Sequence, residues 1–189
     1  MSRRFLDDVR ADINAAIIPN GAGLITADVL RPILIDSIDS SIDDEAIIGS
    51  SLDVIGLAIN DTTWTVIPCD DSVGGDAQFL NVDLANNQIV TSPTAGYTYA
   101  SSALVNLVGA NNKRFEIAVL EDGTPSGAIG EITARGNNKP VNVTAFGLEL
   151  STPSSTSYTI GIRSIDDPAD TLDIHDRALS VTIKPTNNP

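Results

Sequence analysis

At 189 residues, with a net charge of -14 and a pI near 4.1, the chain has room for one good core and an appendage, and direct grip on nucleic acid or an anionic membrane is excluded by repulsion. Apolar residues make up an ordinary 42%, but aromatics only 4%, and Gly, Ser, Thr and Asn are plentiful, which points to many turns and an all-β body. Cys69 is the single cysteine, so no intrachain disulfide and no thiolate zinc site can form, and a buried, inert thiol is expected.

MSRRFLDDVR lacks the apolar run of a signal peptide, and no segment approaches the ~20 apolar residues of a membrane span. The expectation is a soluble product of the cytosol that leaves a cell only inside a larger object. From Arg3 to Ile18, Phe5, Val9, Ile13 and Ile17 step by four with Leu6 alongside, and Arg4, Asp7, Asp8 and Asp12 fill the other side. That is one apolar stripe on a helix, stopped by Pro19-Asn20-Gly21. A second pattern starts after the N-cap candidate Thr26 and carries Leu30, Leu34, Ile38 and Ile42; Pro32 interrupts it, and the helix is expected to end near Ala46. Residues 1–48 are thus predicted to be a helical arm. Two such helices are too few to stand alone, so their stripes need cover from copies of the chain, from its own body or from another protein.

From Leu52 to the end, turn signals recur about every eight to twelve residues, the spacing of a sandwich or barrel. Leu52–Ile59 and Thr62–Ile67 read as a first pair of strands, Asp70–Asp76 as a loop, and Ala77–Leu84 and Gln88–Thr91 as strands flanking a turn. The stretch Gly96–Gly123 organises the rest. Its second strand puts Phe115, Ile117 and Val119 on one face and Glu116 and Ala118 on the other, with Leu120 out of phase. The turn Gly109–Asn112 joins it to a strand opened by Tyr97 and Tyr99, as a hairpin. Ile129–Ala134, Val141–Leu150, a strand around Tyr158, Ile160 and Ile162, a short strand at Leu172 and Ile174, and a last one at Leu179–Ile183 follow. About nine or ten strands with no helices between them imply an antiparallel two-sheet sandwich over residues 52–189, with the jelly roll as leading topology.

The order FLNVDLANNQIVTSPTAGYTYASSALVNL, NNKRFEIAVLEDG, SYTIGIRS and RALSVTIKP resembles the trimeric jelly rolls of the tumour-necrosis-factor and complement-head type. In that family a Gly-Tyr pair opens a central strand, an Arg-Phe-x-Ile-x-Val…Asx-Gly strand follows, and a last strand returns to the middle of the inner sheet. Here these correspond to Gly96-Tyr97, Arg114–Gly123 and Leu179–Ile183. The segment GLITADVLRPILIDSIDSS is similar to arms that precede such jelly rolls in tailed-phage virion proteins, which carry Ile-Thr-x-x-x-Leu-x-x-x-Leu-x-Asp. Pro32 and the scarcity of aromatics depart from these patterns. The resemblance implies a homotrimer, with Tyr97, Phe115, Ile117 and Tyr158 as candidates for its axis, some of which must fill the chain's own core instead. It also implies a virion location, with Phe5, Leu6, Val9, Ile13, Leu30, Leu34 and Ile38 as attachment to a major capsid protein or another virion protein.

Candidate chemistry is thin. His175, the single histidine, sits in LDIHDR without a nucleophile elbow, and no phosphate loop or metalloprotease motif exists, so no enzyme and no cofactor is expected. Asp166, Asp167, Asp170 and Asp173 form the best calcium candidate, although the spacing does not follow the EF-hand pattern; Asp70, Asp71 and Asp76 form a lesser one. Trp64, between threonines, is a structural residue or a sugar-stacking platform. The leading expectation is a non-enzymatic, homotrimeric capsid decoration, cement or head-fibre protein of a phage. The alternative is a receptor- or glycan-binding fibre tip using the loops at Asp70–Asp76, Arg135–Pro140 and Ser164–Asp170.

Overall fold

Working inward from the two ends of the body, the strands pair in nested fashion. The computed structural model describes residues 44–74, 79–92, 97–109, 112–135, 139–147, 155–166 and 170–185. These contain β1 (Asp44–Ser50), β2 (Val54–Ile59), β3 (Thr65–Val66), β4 (Asp71–Gly74), β5 (Leu80–Asp83), β6 (Gln88–Thr91), β7 (Tyr97–Gly109), β8 (Arg114–Glu121), β9 (Thr124–Thr133), β10 (Val141–Phe146), β11 (Thr156–Ser164) and β12 (Asp170–Pro185). β1 pairs with β12, β6 with β11, β7 with β10 and β8 with β9, all antiparallel. The chain is therefore one long ribbon folded at the β8–β9 turn. Rolling that ribbon brings β12 against β7 and β11 against β8, which closes a jelly roll.

One sheet runs β4-β1-β12-β7-β10 and the other β9-β8-β11-β6-β5, joined where Ala128 of β9 meets Phe146 of β10. β12 lies between β1 and β7, so the last strand does return to the middle of its sheet. β2 extends the β12 edge beyond β1, and β3 the β11 edge beyond β6. Alternate residues of the central strands fill the space between the sheets: Val105 and Leu107 of β7, Leu179 and Val181 of β12, Val119 of β8 and Ile160 of β11 are all fully buried.

Several expectations change. Residues 1–43, with Phe5, Leu6, Val9, Ile13, Leu30, Leu34 and Ile38, lie outside the described residues, but residues 44–46 are strand rather than the tail of a helix. β1 pairs with β12 and β4, buries Ala46 and Ile48 and turns Ile47 outward. Three-residue alternation is too short to announce itself in sequence, and the backbone partners that fix it come from distant strands. Asp71–Gly74 is likewise an edge strand and not a loop. Gly74 permits it, with φ +78° and so close an approach to β1 that a Cβ would sit 2.3 Å from the Glu45 carbonyl.

Three of the four expected trimer-axis residues fill the chain's own core. Phe115, Ile117 and Tyr158 are fully buried within the chain's own core and cannot meet a second copy. Tyr97 pairs through its backbone with Pro185 at the end of β12. Leu120, out of phase in sequence, is seated on the outer side of its sheet over Gly161 and is still only 2% exposed. β8 keeps its register with β11 throughout, so Leu120 shares the face of Glu116 and Ala118, and the irregularity between Ile117 and Val119 in the β8–β9 pairing places its extra residues in β9.

Candidate functional site

Two surfaces stand out, one flat and one concave. The flat surface is the outer face of β12, β7 and β10. Register places Ser180, Ser102 and Phe146 in one row across it, and Ala178, Leu104 and Thr144 in the next. Thr182 and Ala100 continue it. None of these side chains is charged, in a chain of net charge -14. Phe146 is 55% exposed and Leu104 45%, diagonal neighbours across the two strands. Beyond β12 the row continues to Ile47 of β1 and to exposed Val73 of β4.

The concave surface is a seam. β9 and β10 are joined at Ala128–Phe146 and again by the bridge Arg135–Lys139, and both contacts belong to one antiparallel register. Near the first contact Gly130 lets the strands touch, since a Cβ there would lie 2.3 Å from the Thr144 carbonyl. Between Gly130 and Arg135 no ladder joins β9 to β10 among the described residues. Each strand is already paired on its other side, β9 with β8 and β10 with β7, in opposite sheets that diverge there. The gap is a cleft of about 580 Å³ lined by Asn112, Glu131, Thr133, Arg135, Pro140 and Asn142, among others.

At the same end of the sandwich Arg114 donates to Asp166 through its backbone N–H (2.8 Å) and its guanidinium (2.9 Å), and it approaches Glu131 at 3.5 Å. Hydrogen bonds from Arg114 hold the Asp166 carboxyl below its ordinary value. The calcium candidate does not assemble. Asp166 faces Arg114, Asp170 accepts from the Thr171 N–H, and Asp173 accepts from the Gly56 N–H, so these carboxylates serve different partners. Asp167 lies outside the described residues. Asp71 caps its own strand by accepting from the Ser72 N–H.

His175 sits on β12, its Nδ1 2.7 Å from an Asp53 oxygen. Trp64 is half-buried, with the Arg163 guanidinium 4.7 Å above its ring and Arg163 bound in turn to Glu116 at 2.5 Å. That face of the indole is occupied by a cation and is not open to a sugar.

Sequence reasoning missed Arg177. It is 5% exposed and donates to the carbonyls of Leu52, Pro68 (2.5 Å) and His175 (3.0 Å), pinning the β1–β2 connection and the segment before Cys69 onto β12. A signal existed. The apolar positions of β12 are even at Leu172 and Ile174 and odd at Leu179, Val181 and Ile183, and a change of parity within one strand requires a bulge. The structure has it between Ile174 and Arg177, where the sequence suggests two separate strands. Cys69 is buried beside this arginine, and burial pushes its thiol up to about 11.

No family model matches the chain, and no curated protein matches it. Among solved structures the chain is similar to Eiger TNF from S. frugiperda at 7% identity and a TM-score of 0.49, over 78% of this chain and 96% of that one. It is similar to PRD1 vertex protein P5 at 9% identity and a TM-score of 0.39, over 76% and 97%. A third is the sugar-binding EclA C-terminal domain, at 14% identity and a TM-score of 0.33, over 71% and 79%. The topology above stands on its own strand pairings.

Proposed function

We propose that the protein is a non-enzymatic structural subunit of a phage virion: a homotrimeric capsid decoration, cement or head-fibre protein, anchored by the segment that precedes β1. The observation that carries this reading is the patch of small, hydroxyl and apolar residues at Ser180, Ser102, Phe146, Ala178, Leu104 and Thr144 on the outer face of β12, β7 and β10, bordered by Glu45, whose carboxylate accepts from Ser180. A chain of net charge -14 repels its copies nearly everywhere, and this face offers small, hydroxyl and apolar side chains where a like-charged copy can approach. The number three and the virion location come from the sequence resemblance. The mechanism is mechanical, with several arms docking together and gaining avidity from individually weak contacts.

Two measurements test it. The native mass of the full chain should be three times that of one copy. Removing residues 1–43 should abolish binding to the capsid shell while the β body keeps its far-ultraviolet spectrum. A monomer that binds shells equally well without its arm refutes the proposal. The second reading, a receptor- or glycan-binding fibre tip, is favoured by the cleft beside Arg135–Pro140, and loss of host-cell adsorption without loss of shell binding would support it.

A further inference from the structure

We infer that the β9–β10 seam is a binding site for an anionic sugar, a carbohydrate chain bearing carboxylate or phosphate groups. The inference rests on the second reading and names its ligand. Two independent observations meet at this place. The first is shape: at about 580 Å³ the cleft falls within the ~300–1,000 Å³ typical of small-molecule sites. Along the seam it is bounded by the two places where β9 and β10 or their continuations touch, the Gly130–Thr144 approach and the Arg135–Lys139 bridge. A cleft bounded along the seam suits a compact unit better than an extended peptide, which would have to run on past the bridge as an added strand.

The second observation is charge. After residue 43 the chain has only seven lysines and arginines; one of them, Arg135, lines this opening, and three more, Lys113, Arg114 and Lys139, adjoin its lining residues. Arg135 lines the cleft, Lys139 is bridged to it, and Lys113 and Arg114 directly follow the lining residue Asn112. Against them stand Glu131 and Asp166, both engaged by Arg114. Among the described residues this is a local excess of positive charge on a strongly acidic protein. Guanidinium groups match carboxylate and phosphate oxygens bidentately. The walls add Asn112, Thr133 and Asn142, whose amide and hydroxyl groups both donate and accept, as sugar hydroxyls require. Unladdered backbone along β9 and β10 supplies further donors and acceptors.

The test is calorimetric titration of the full-length protein with a galacturonate trimer, a phosphorylated oligosaccharide, maltotriose and a hexaglutamate peptide, at low and high salt. Either or both anionic sugars should bind saturably, and maltotriose and hexaglutamate should not; which sugar binds separates carboxylate from phosphate. Replacing Arg135→Ala and Lys139→Ala together should weaken binding at least about tenfold, since each removes a charge-assisted contact. Lys184→Ala, which removes a cation at the far end of β12, should leave it unchanged. The inference is overturned if hexaglutamate binds as tightly as the sugars, if maltotriose does, if no sugar binds, or if the double variant binds like the parent. Adsorption to host cells, measured in parallel, separates the two levels. Adsorption without any sugar binding sinks this ligand assignment and spares the tip reading, whereas sugar binding that needs Arg135 and Lys139 without adsorption supports the ligand and sinks the tip.

Discussion

Replacing Phe146→Ser should loosen self-association more than it loosens the fold. The ring is 55% exposed in the isolated chain. Taking ~200 Å² for a whole phenylalanine side chain, about 110 Å² remains to be covered by a partner, worth about 2.8 kcal/mol at ~25 cal/mol per Å². That is about a 100-fold change in the association constant of any contact that covers the ring. The other ~90 Å² of the ring is already covered within the subunit and is worth up to about 2.3 kcal/mol by the same measure, so the isolated subunit should lose no more than that and stay folded at assay temperature. The assay is mass by light scattering across a dilution series, with thermal unfolding in the monomeric range as control. Parent protein should hold its oligomer at dilutions where the variant has fallen to single chains, and Leu104→Ser should do the same more weakly. Identical mass profiles for parent and variant would refute the reasoning, since association would then be made elsewhere, for instance by the arm.

Gly161→Ala should cost about 1–3 kcal/mol, because the new Cβ would lie 2.6–2.9 Å from Leu120 carbons; denaturant melts should show most of that cost vanishing in a Leu120→Ala background. Arg177→Met should destabilise by about 3 kcal/mol, as three carbonyls lose their donor at once, and Arg177→Lys should not restore the midpoint of urea unfolding. Cys69 should resist thiol reagents in the native protein below about pH 9 and react at once on unfolding. Since its folded value is raised from 9.0 to about 11, the associated stability is present below pH 9 and lost as pH climbs through that interval. For Asp166 the sign reverses. Its carboxyl is held below 3.8 by Arg114, so its contribution is present above that pH and lost as pH falls through the depressed value; in Arg114→Gln the carboxyl titration followed by NMR should move upward.

Much of the β body was legible in sequence because half-buried strands write their period into it. Phe115, Ile117 and Val119, and Ile160 and Ile162, alternate as expected and are all buried. What alternation left open was which of these residues meet a partner molecule and which fill the chain's own core. Period-two alternation says that one face is covered but not by what, and here the opposite sheet of the same chain covers Phe115, Ile117 and Tyr158. The acidic candidates failed for a related reason: spacing along the chain cannot reveal that Asp166 meets Arg114 of another strand, or that Asp173 meets the Gly56 amide. The parity change in β12 was written plainly, yet it reads equally as two strands until β7 is seen to pair along its whole length.

By itself, the sequence determined an acidic, cysteine-poor, mainly β protein with strands on either side of Gly109–Asn112 and a closing strand at Leu179–Ile183, since composition and short-range alternation are local properties. The hairpin expected of the two strands around Gly109–Asn112 is corrected, because β7 pairs with β12 and β10, and β8 pairs with β9 and β11 in the opposite sheet. The tertiary structure alone decided the β1 and β4 edges, the buried clamp of Arg177, the patch of small, hydroxyl and apolar residues around Phe146 and the seam between β9 and β10. Each of these depends on which distant backbones come together when the ribbon rolls up, and no local pattern encodes that.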